Sequence, residues 1–254
     1  MAGVISRKPG VCFAPRDGGV GHVLMADATG KNEMTPEFVE DLVGALRDAA
    51  AWPELKALVL VGHDDVFSSG ASLGMLRALV AGGVAPADIL LAKAVLDVPV
   101  PVIAAMAGHA VGGGLALGLA ADMPIIARES RYGATFMNMG FTPGMGMIRL
   151  LEHVVSPALA HELLYSGEAR RGAAFEGRSG FTAILPRADV LAHADSLARR
   201  IAEKPRKALS LLKRTLTLPR RRAFEETHTL ESLMHEVTFA AEETRTRIEA
   251  NHDE

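Results

Sequence analysis

Apolar positions along the chain change spacing several times, and each change marks an element. The runs GVCFAP and GHVLMAD flank RDGG, whose Asp-Gly and Gly-Gly pairs suit a tight turn, so an opening hairpin is predicted. In MTPEFVEDLVGALRDAAA the spacing becomes helical: Phe38, Leu42, Val43 and Leu46 share a face, Thr35 is placed to cap and Pro36 takes the first helical position. LKALVLVG, VPVIAAM and MPIIA then read as buried strands, the second followed by a glycine turn and a helix from about Gly113 to Ala121. Strands alternating with helices predict an α/β architecture with largely parallel pairing. Beyond about Pro157 the strand signal thins, and ADVLAHADSLARRIAE, PRKALSLLKRTL and RAFEETHTLESLMHEVTFAAEETRTRIEANH read as helices. A core over residues 1–190 and a helical region over 191–254 are expected.

Composition narrows the function classes. With 254 residues, a formal net charge of −3 and no concentrated basic face, the chain gives no support to a nucleic-acid or membrane-surface role. Val98 to Ala121 carries no charge, but Pro99, Pro101, His109 and several glycines break it into a strand, a turn and a helix rather than a membrane span. The single cysteine, Cys12, sits in an apolar run and reads as an inert thiol in a reducing compartment. No apolar stretch of signal-peptide length opens the sequence, so a cytoplasmic location is expected.

Candidate chemistry begins at HAVGGGLALGLAAD. Glycines let a backbone approach a ligand closely, and the unpaired N–H groups at a helix start attract negative charge, either a phosphate or a developing oxyanion. Triple glycine after a strand also occurs for tight packing alone. A second segment, DDVFSSGASLGML, places small residues between a strand and another apolar helical run.

Together these two loops resemble the oxyanion-hole segments of the crotonase, or enoyl-CoA hydratase, superfamily. The likeness continues through GKNEMTPEFVEDLVGAL and GFTPGMGMIRLL, and so covers nearly the whole chain. It implies a crotonase-type ββα spiral core with a C-terminal helical region, and backbone N–H groups of Ala71 and Gly113 that hold a thioester oxygen as it becomes an enolate, an effect worth a few kcal/mol per donor. Hydratases of the superfamily use two glutamates to handle water; here Ala116 and Phe136 stand in those places, and neither can move a proton.

The string YGATFMNMGFTPGMG, with MHEVTF further on, is most similar to the decarboxylating enoyl-CoA hydratase homologues of polyketide β-branching cassettes. What that implies is loss of carbon dioxide from a 3-methylglutaconyl thioester, with His235 returning a proton, and a pocket lined by Phe136, Met137 and Phe141. No metal or cofactor is implied beyond the phosphopantetheine arm of an acyl carrier protein, or coenzyme A, that carries the substrate. Relatives commonly hold a lysine two residues after the oxyanion-hole alanine, to meet the substrate carboxylate. Leu73 occupies that place, and Arg77, one turn later, is the candidate substitute. Lys207, Lys213, Arg214 and Arg220 to Arg222 are candidates for meeting an acidic carrier protein, or form a solvated helix face. The family assembles as a trimer or a pair of trimers. Two other readings stay open: a double-bond isomerase using the same dienolate, and a non-catalytic member that binds carrier protein.

Overall fold

The computed structural model describes residues 5–8, 10–27, 29–85 and 90–251. Residues 1–4 and His252, part of the N-terminal segment and of the last helix in the sequence reading, lie outside that set. The chain opens with β1 (Ile5–Lys8), β2 (Val11–Pro15) and β3 (Val20–Met25), each antiparallel to the next, and Asp17–Gly19 makes the turn between the last two. After β4 (Glu33–Met34) comes α1 (Pro36–Ala51), capped as the sequence predicts: Phe38 N–H donates to the Thr35 hydroxyl at 3.1 Å.

Next come β5 (Ala57–Val61), β6 (Val66–Ser68), β7 (Gly70–Ala71), α2 (Leu73–Val80) and α3 (Leu91–Asp97). The pattern recurs in β8 (Val102–Met106), β9 (His109–Val111) and α4 (Gly113–Leu119), and begins again with β10 (Met123–Ala127) and β11 (Arg131–Gly133). The remainder is α5 (Met147–Val154), α6 (Pro157–Ser166), β12 (Ala169–Arg171), β13 (Ala183–Leu185), α7 (Arg187–Ala202), α8 (Arg206–Phe239) and α9 (Glu242–Asn251).

Each repeat sends its first strand to one sheet and its second to another. The larger sheet runs β1-β2-β3-β5-β8-β10-β13 and is parallel from β3 onward; the smaller runs β12-β11-β9-β6. Beside them β4 and β7 form a short parallel pair, with Met34 opposite Ala71. Continuous apolar runs such as ALVLV follow from burial on both faces. Leu58 and Leu60 join the cluster that includes Phe13 and Leu42, while Ala57 and Val59 meet α7 on the other side.

That contact corrects the expected domain boundary. Position 190 falls inside α7, and Val190, Ala194, Ala198 and Ala202 pack on strands β3, β5, β8 and β10, so this helix belongs to the core. Its small residues let it lie close to the sheet. The remaining helical region also differs from expectation: α8 runs unbroken through Pro219, where two helices were expected. Proline removes one helical hydrogen bond. Side-chain anchors of α8 on both sides of Pro219 offset that loss: Lys213 and Arg220, both buried, converge on Asp122 just beyond α4, and Arg220 also donates to the Ala121 carbonyl at 2.8 Å. Among the described residues no helix is long and apolar enough to cross a membrane.

Candidate active site

A cavity forms where β7, α2, the start of α4, the loop after β11 and the last turns of α8 meet. Its geometry starts with Asn32, fully buried, whose side-chain amide donates to the carbonyls of Met25 (2.8 Å) and Phe67 (3.0 Å) and accepts from Asp27 N–H (3.1 Å). One residue thereby ties β3 to the segment leading into β7. The Ser68 hydroxyl donates to the Asn32 carbonyl at 2.8 Å, and Gly70 follows in the left-handed region (φ 84°). A side chain on Gly70 would press on the Val111 carbonyl and the Gly113 nitrogen, so its absence is what brings the two loops together.

On the other side of that contact, Gly112 also takes a positive φ (52°), and Gly113 is the first residue of α4. First-turn N–H groups have no partner within their own helix. Gly113 therefore offers its donor at the cavity wall, beside Gly70 and Ala71. The sulfur atoms of Met34 and Met145 flank it: a β carbon at Gly113 would stand 3.0 Å from each.

Opposite this polar edge the wall is aromatic. Phe136 and Phe141 meet edge to face (6.0 Å between centroids), Phe141 packs on Phe239 (4.7 Å), and both Phe141 and Phe239 contact the His235 ring. His235 is 6% exposed and is the one titratable side chain on the wall among the described residues. Its Nε2 lies 2.8 Å from the Thr142 carbonyl, an acceptor, so Nε2 carries the proton and Nδ1 is left as an acceptor. Burial lowers the imidazole pKa and outweighs the opposing bond to Thr142, which keeps the ring neutral at neutral pH.

A model of enoyl-CoA hydratase/isomerase proteins matches residues 16–252. The chain belongs to the enoyl-CoA hydratase/isomerase family. It is 42% identical over 226 residues to the bacillaene synthase decarboxylase PksI of Bacillus subtilis, covering 89% of this chain and 91% of that one. A solved dehydratase/decarboxylase enzyme couple involved in polyketide β-branching superposes with a TM-score of 0.90 at 40% identity, over 94% of this chain and 97% of that one. The ECH2 decarboxylase domain of CurF from Lyngbya majuscula gives 0.88 at 36% identity, over 96% of this chain and 100% of that domain.

Within this enoyl-CoA hydratase/isomerase fold, Ala71, Gly113, Phe136, Phe141 and His235 share the cavity wall, as do Met139 and Met145. Three other expected site residues do not. Met137 is 39% exposed and points away from the wall that its neighbours Phe136 and Met139 build. Leu73 packs half-buried against the core outside the wall. Arg77 lies on the outer face of α2, with Nε 2.8 Å from Glu249 of α9, so it supplies no cation to the cavity. Lys213 and Arg220, expected among the docking residues, are instead consumed by Asp122. Where a family hydratase carries its glutamates, Ala116 is fully buried in the core and Phe136 presents a ring.

Sequence reasoning missed Asn32, which orders the first loop, and the role of Glu231. The latter is 1% exposed and accepts from Gly146 N–H at 2.6 Å, at the N-terminus of α5. The signal for Asn32 lies in its positive φ (47°), which sequence does not display; that for Glu231 is an acid on the buried stripe of α8.

Proposed function

We propose that this enzyme decarboxylates a 3-methylglutaconyl thioester to the 3-methylcrotonyl thioester in polyketide β-branching. The observation that carries the reading is the cavity: two backbone donors at one edge, an apolar wall, and, among the described residues, a single titratable side chain. The thioester oxygen accepts from the N–H groups of Ala71 and Gly113. The bond to the carboxyl carbon breaks, carbon dioxide leaves, and the electron pair moves through the double bond onto that oxygen. Donors fixed by Gly70, Gly112 and Asn32 are already in place as charge arrives, which is where oxyanion stabilisation acts.

Water needs no activation in this reaction, which suits a wall with Phe136 and no carboxylate. An apolar surround also disfavours the charged carboxylate relative to neutral carbon dioxide. His235 then returns a proton to carbon after its own Nδ1 has gained one.

The acyl group arrives on the phosphopantetheine of an acyl carrier protein, or on coenzyme A. Lys207, Arg214 and Arg222 are exposed on α8 and fit an acidic carrier. Leu212, Leu216, Leu230, Leu233 and Val237 are exposed on the same helix, and an apolar series of this kind supports assembly into a homotrimer or a pair of trimers. The free thiol of Cys12 fits a cytoplasmic setting.

Mass spectrometry of carrier-bound 3-methylglutaconyl substrate incubated with the purified protein tests the reading. Loss of carbon dioxide is expected. Unchanged mass with a shifted double bond would make the protein an isomerase, and unchanged substrate would make it a carrier-binding member.

A further inference from the structure

Five buried side-chain polar atoms lack a hydrogen-bond partner among the described residues, and four of them belong to the last turns of α8 or to the loop residue that His235 meets: Thr142 Oγ1, Glu231 Oε1, His235 Nδ1 and Thr238 Oγ1. Unsatisfied buried polar atoms are costly and uncommon, so this group along the last turns of α8 calls for a reason. Glu231 and His235 stand four residues apart on α8, both on its buried stripe, where side chains are about 5–6 Å apart at Cβ.

The two orphans are complementary in kind. His235 Nε2 donates to Thr142, which makes Nδ1 an acceptor. Glu231 Oε2 accepts from Gly146, which leaves Oε1 as the oxygen able to carry a proton. A carboxylic acid at Oε1 is the kind of donor that Nδ1 lacks; no direct bond joins the two, so one bridging water would carry the proton between them.

We propose that Glu231 stores the proton that His235 delivers to carbon. The inference rests on the decarboxylase reading, because that reaction takes one proton from the protein in every turnover. The Glu231 O–H bond breaks and a His235 Nδ1–H bond forms, giving carboxylate and imidazolium. The Nδ1–H bond of the imidazolium then breaks as the C–H bond forms on the dienolate, which leaves the neutral ring with its proton on Nε2, as at the start. Solvent reprotonates Glu231 before the next turnover.

The surroundings suit a stored proton. Burial pushes the Glu231 carboxyl up to about 7, against the lowering effect of the Gly146 and Ile148 N–H groups. From the loop before α5, the backbone carbonyls of Thr142 and Pro143 face His235, and no residue from Phe141 to Ile148 is titratable. On α8 itself His228 lies near enough to lower the His235 pKa. Glu231 thus holds its proton at a pH where His235 does not, and gives it up when a bound anion favours the imidazolium.

Glu231→Gln tests the assignment, since the amide oxygen still accepts from Gly146 while the proton store is gone. The expected result is a fall in kcat of about 10²-fold, KM within twofold of the parent, and loss of the limb in which the parent's rate falls as pH rises through about 7. In the parent, NMR of labelled Glu and His side chains should show the His235 ring responding as Glu231 titrates near 7, and that response should vanish in the variant. A variant with the parent's kcat and pH limb, or a Glu231 that titrates in the ordinary carboxylate range, overturns the inference and leaves Glu231 as a cap on α5. If the variant does not fold, the NMR titration of the parent decides alone. A parent that releases no carbon dioxide while keeping the coupled titration overturns the decarboxylase reading and not the pairing.

Discussion

The His235 ring lies so close over Gly144 that a β carbon at that glycine would come within 2.5 Å of Cε1 and 3.2 Å of Nε2. The loop between the aromatic wall and α5 therefore holds the imidazole by having no side chain there. Gly144 does not take a positive φ, so its backbone tolerates alanine. Gly144→Ala should fold, displace the ring from the Thr142 carbonyl, and lower decarboxylation by about 10²-fold. Comparing kcat with the melting temperature checks this: a rate equal to the parent's would show that the ring does not serve from its present position.

Gly113 allows a clean separation of the donor from the space around it. Alanine keeps the N–H and asks the Met34 and Met145 thioethers to give way by a few tenths of an ångström; proline removes the N–H at a first helical position, where proline is well accommodated. Gly113→Pro should lose about 10²–10³-fold in kcat beyond whatever Gly113→Ala loses. Equal rates for the two folded variants would remove Gly113 from the oxyanion hole.

Addition of water to crotonyl-CoA should be undetectable beside decarboxylation, because neither Ala116 nor Phe136 can take or give a proton. An absorbance assay of the enoyl thioester reads this directly. Robust hydration would mean that another group activates water in the cavity.

Arg77→Gln should leave kcat and KM within twofold of the parent. The guanidinium is an exposed partner of Glu249, and such pairs contribute at most about 1 kcal/mol. A large rise in KM for carboxylated substrate alone would show that Arg77 swings toward the cavity when substrate binds.

Stability should respond to pH through Glu231 in a defined direction. Its carboxyl is raised from 4.5 to about 7 in the folded protein, so it favours folding below 4.5 and progressively less as pH rises through 7. Relative to Glu231→Gln, the parent should lose on the order of 3 kcal/mol between pH 4 and pH 8. His235, lowered by burial, acts in the opposite sense: the unfolded chain binds its proton first as pH falls through 6.5. Because both proteins carry His235, the difference between their denaturation curves reports Glu231 together with its coupling to that ring. A difference that does not change with pH would show an ordinary carboxylate.

Much of this was legible in the sequence where local chemistry decides the outcome. Thr35 and Pro36 announce α1, and the glycines at 70 and 112–114 announce loops that must approach closely. Arg77 was misplaced because one helical turn from Leu73 fixes a position along α2 but not whether α9 brings it a partner. Met137 was misplaced because the segment Thr135–Met139 is a 3-10 helix, whose tighter turn sends alternate neighbours to different sides. The fates of Lys213 and Arg220 depended on Asp122, almost a hundred residues away in sequence and adjacent in space. Glu231 shows the same limit: helical spacing puts it one turn from His235, but the Gly146 N–H that it binds lies 85 residues back along the chain.

That stripe runs Leu209, Lys213, Thr217, Arg220, Phe224, Thr227, Glu231, His235, Phe239, and it makes α8 a device of rotational phase. Each residue turns an α-helix by about 100°. With Arg220 clamped at one end, deletion of a single residue between Phe224 and Glu231 would advance every later side chain by one place. Ser232 would then occupy the Glu231 position, and Glu236 would stand where the imidazole is now. A one-residue change in length, far from the glycine loops, would thus replace a neutral ring with a carboxylate at the heart of the cavity, whereas a seven-residue change would restore the orientation to within about 20°.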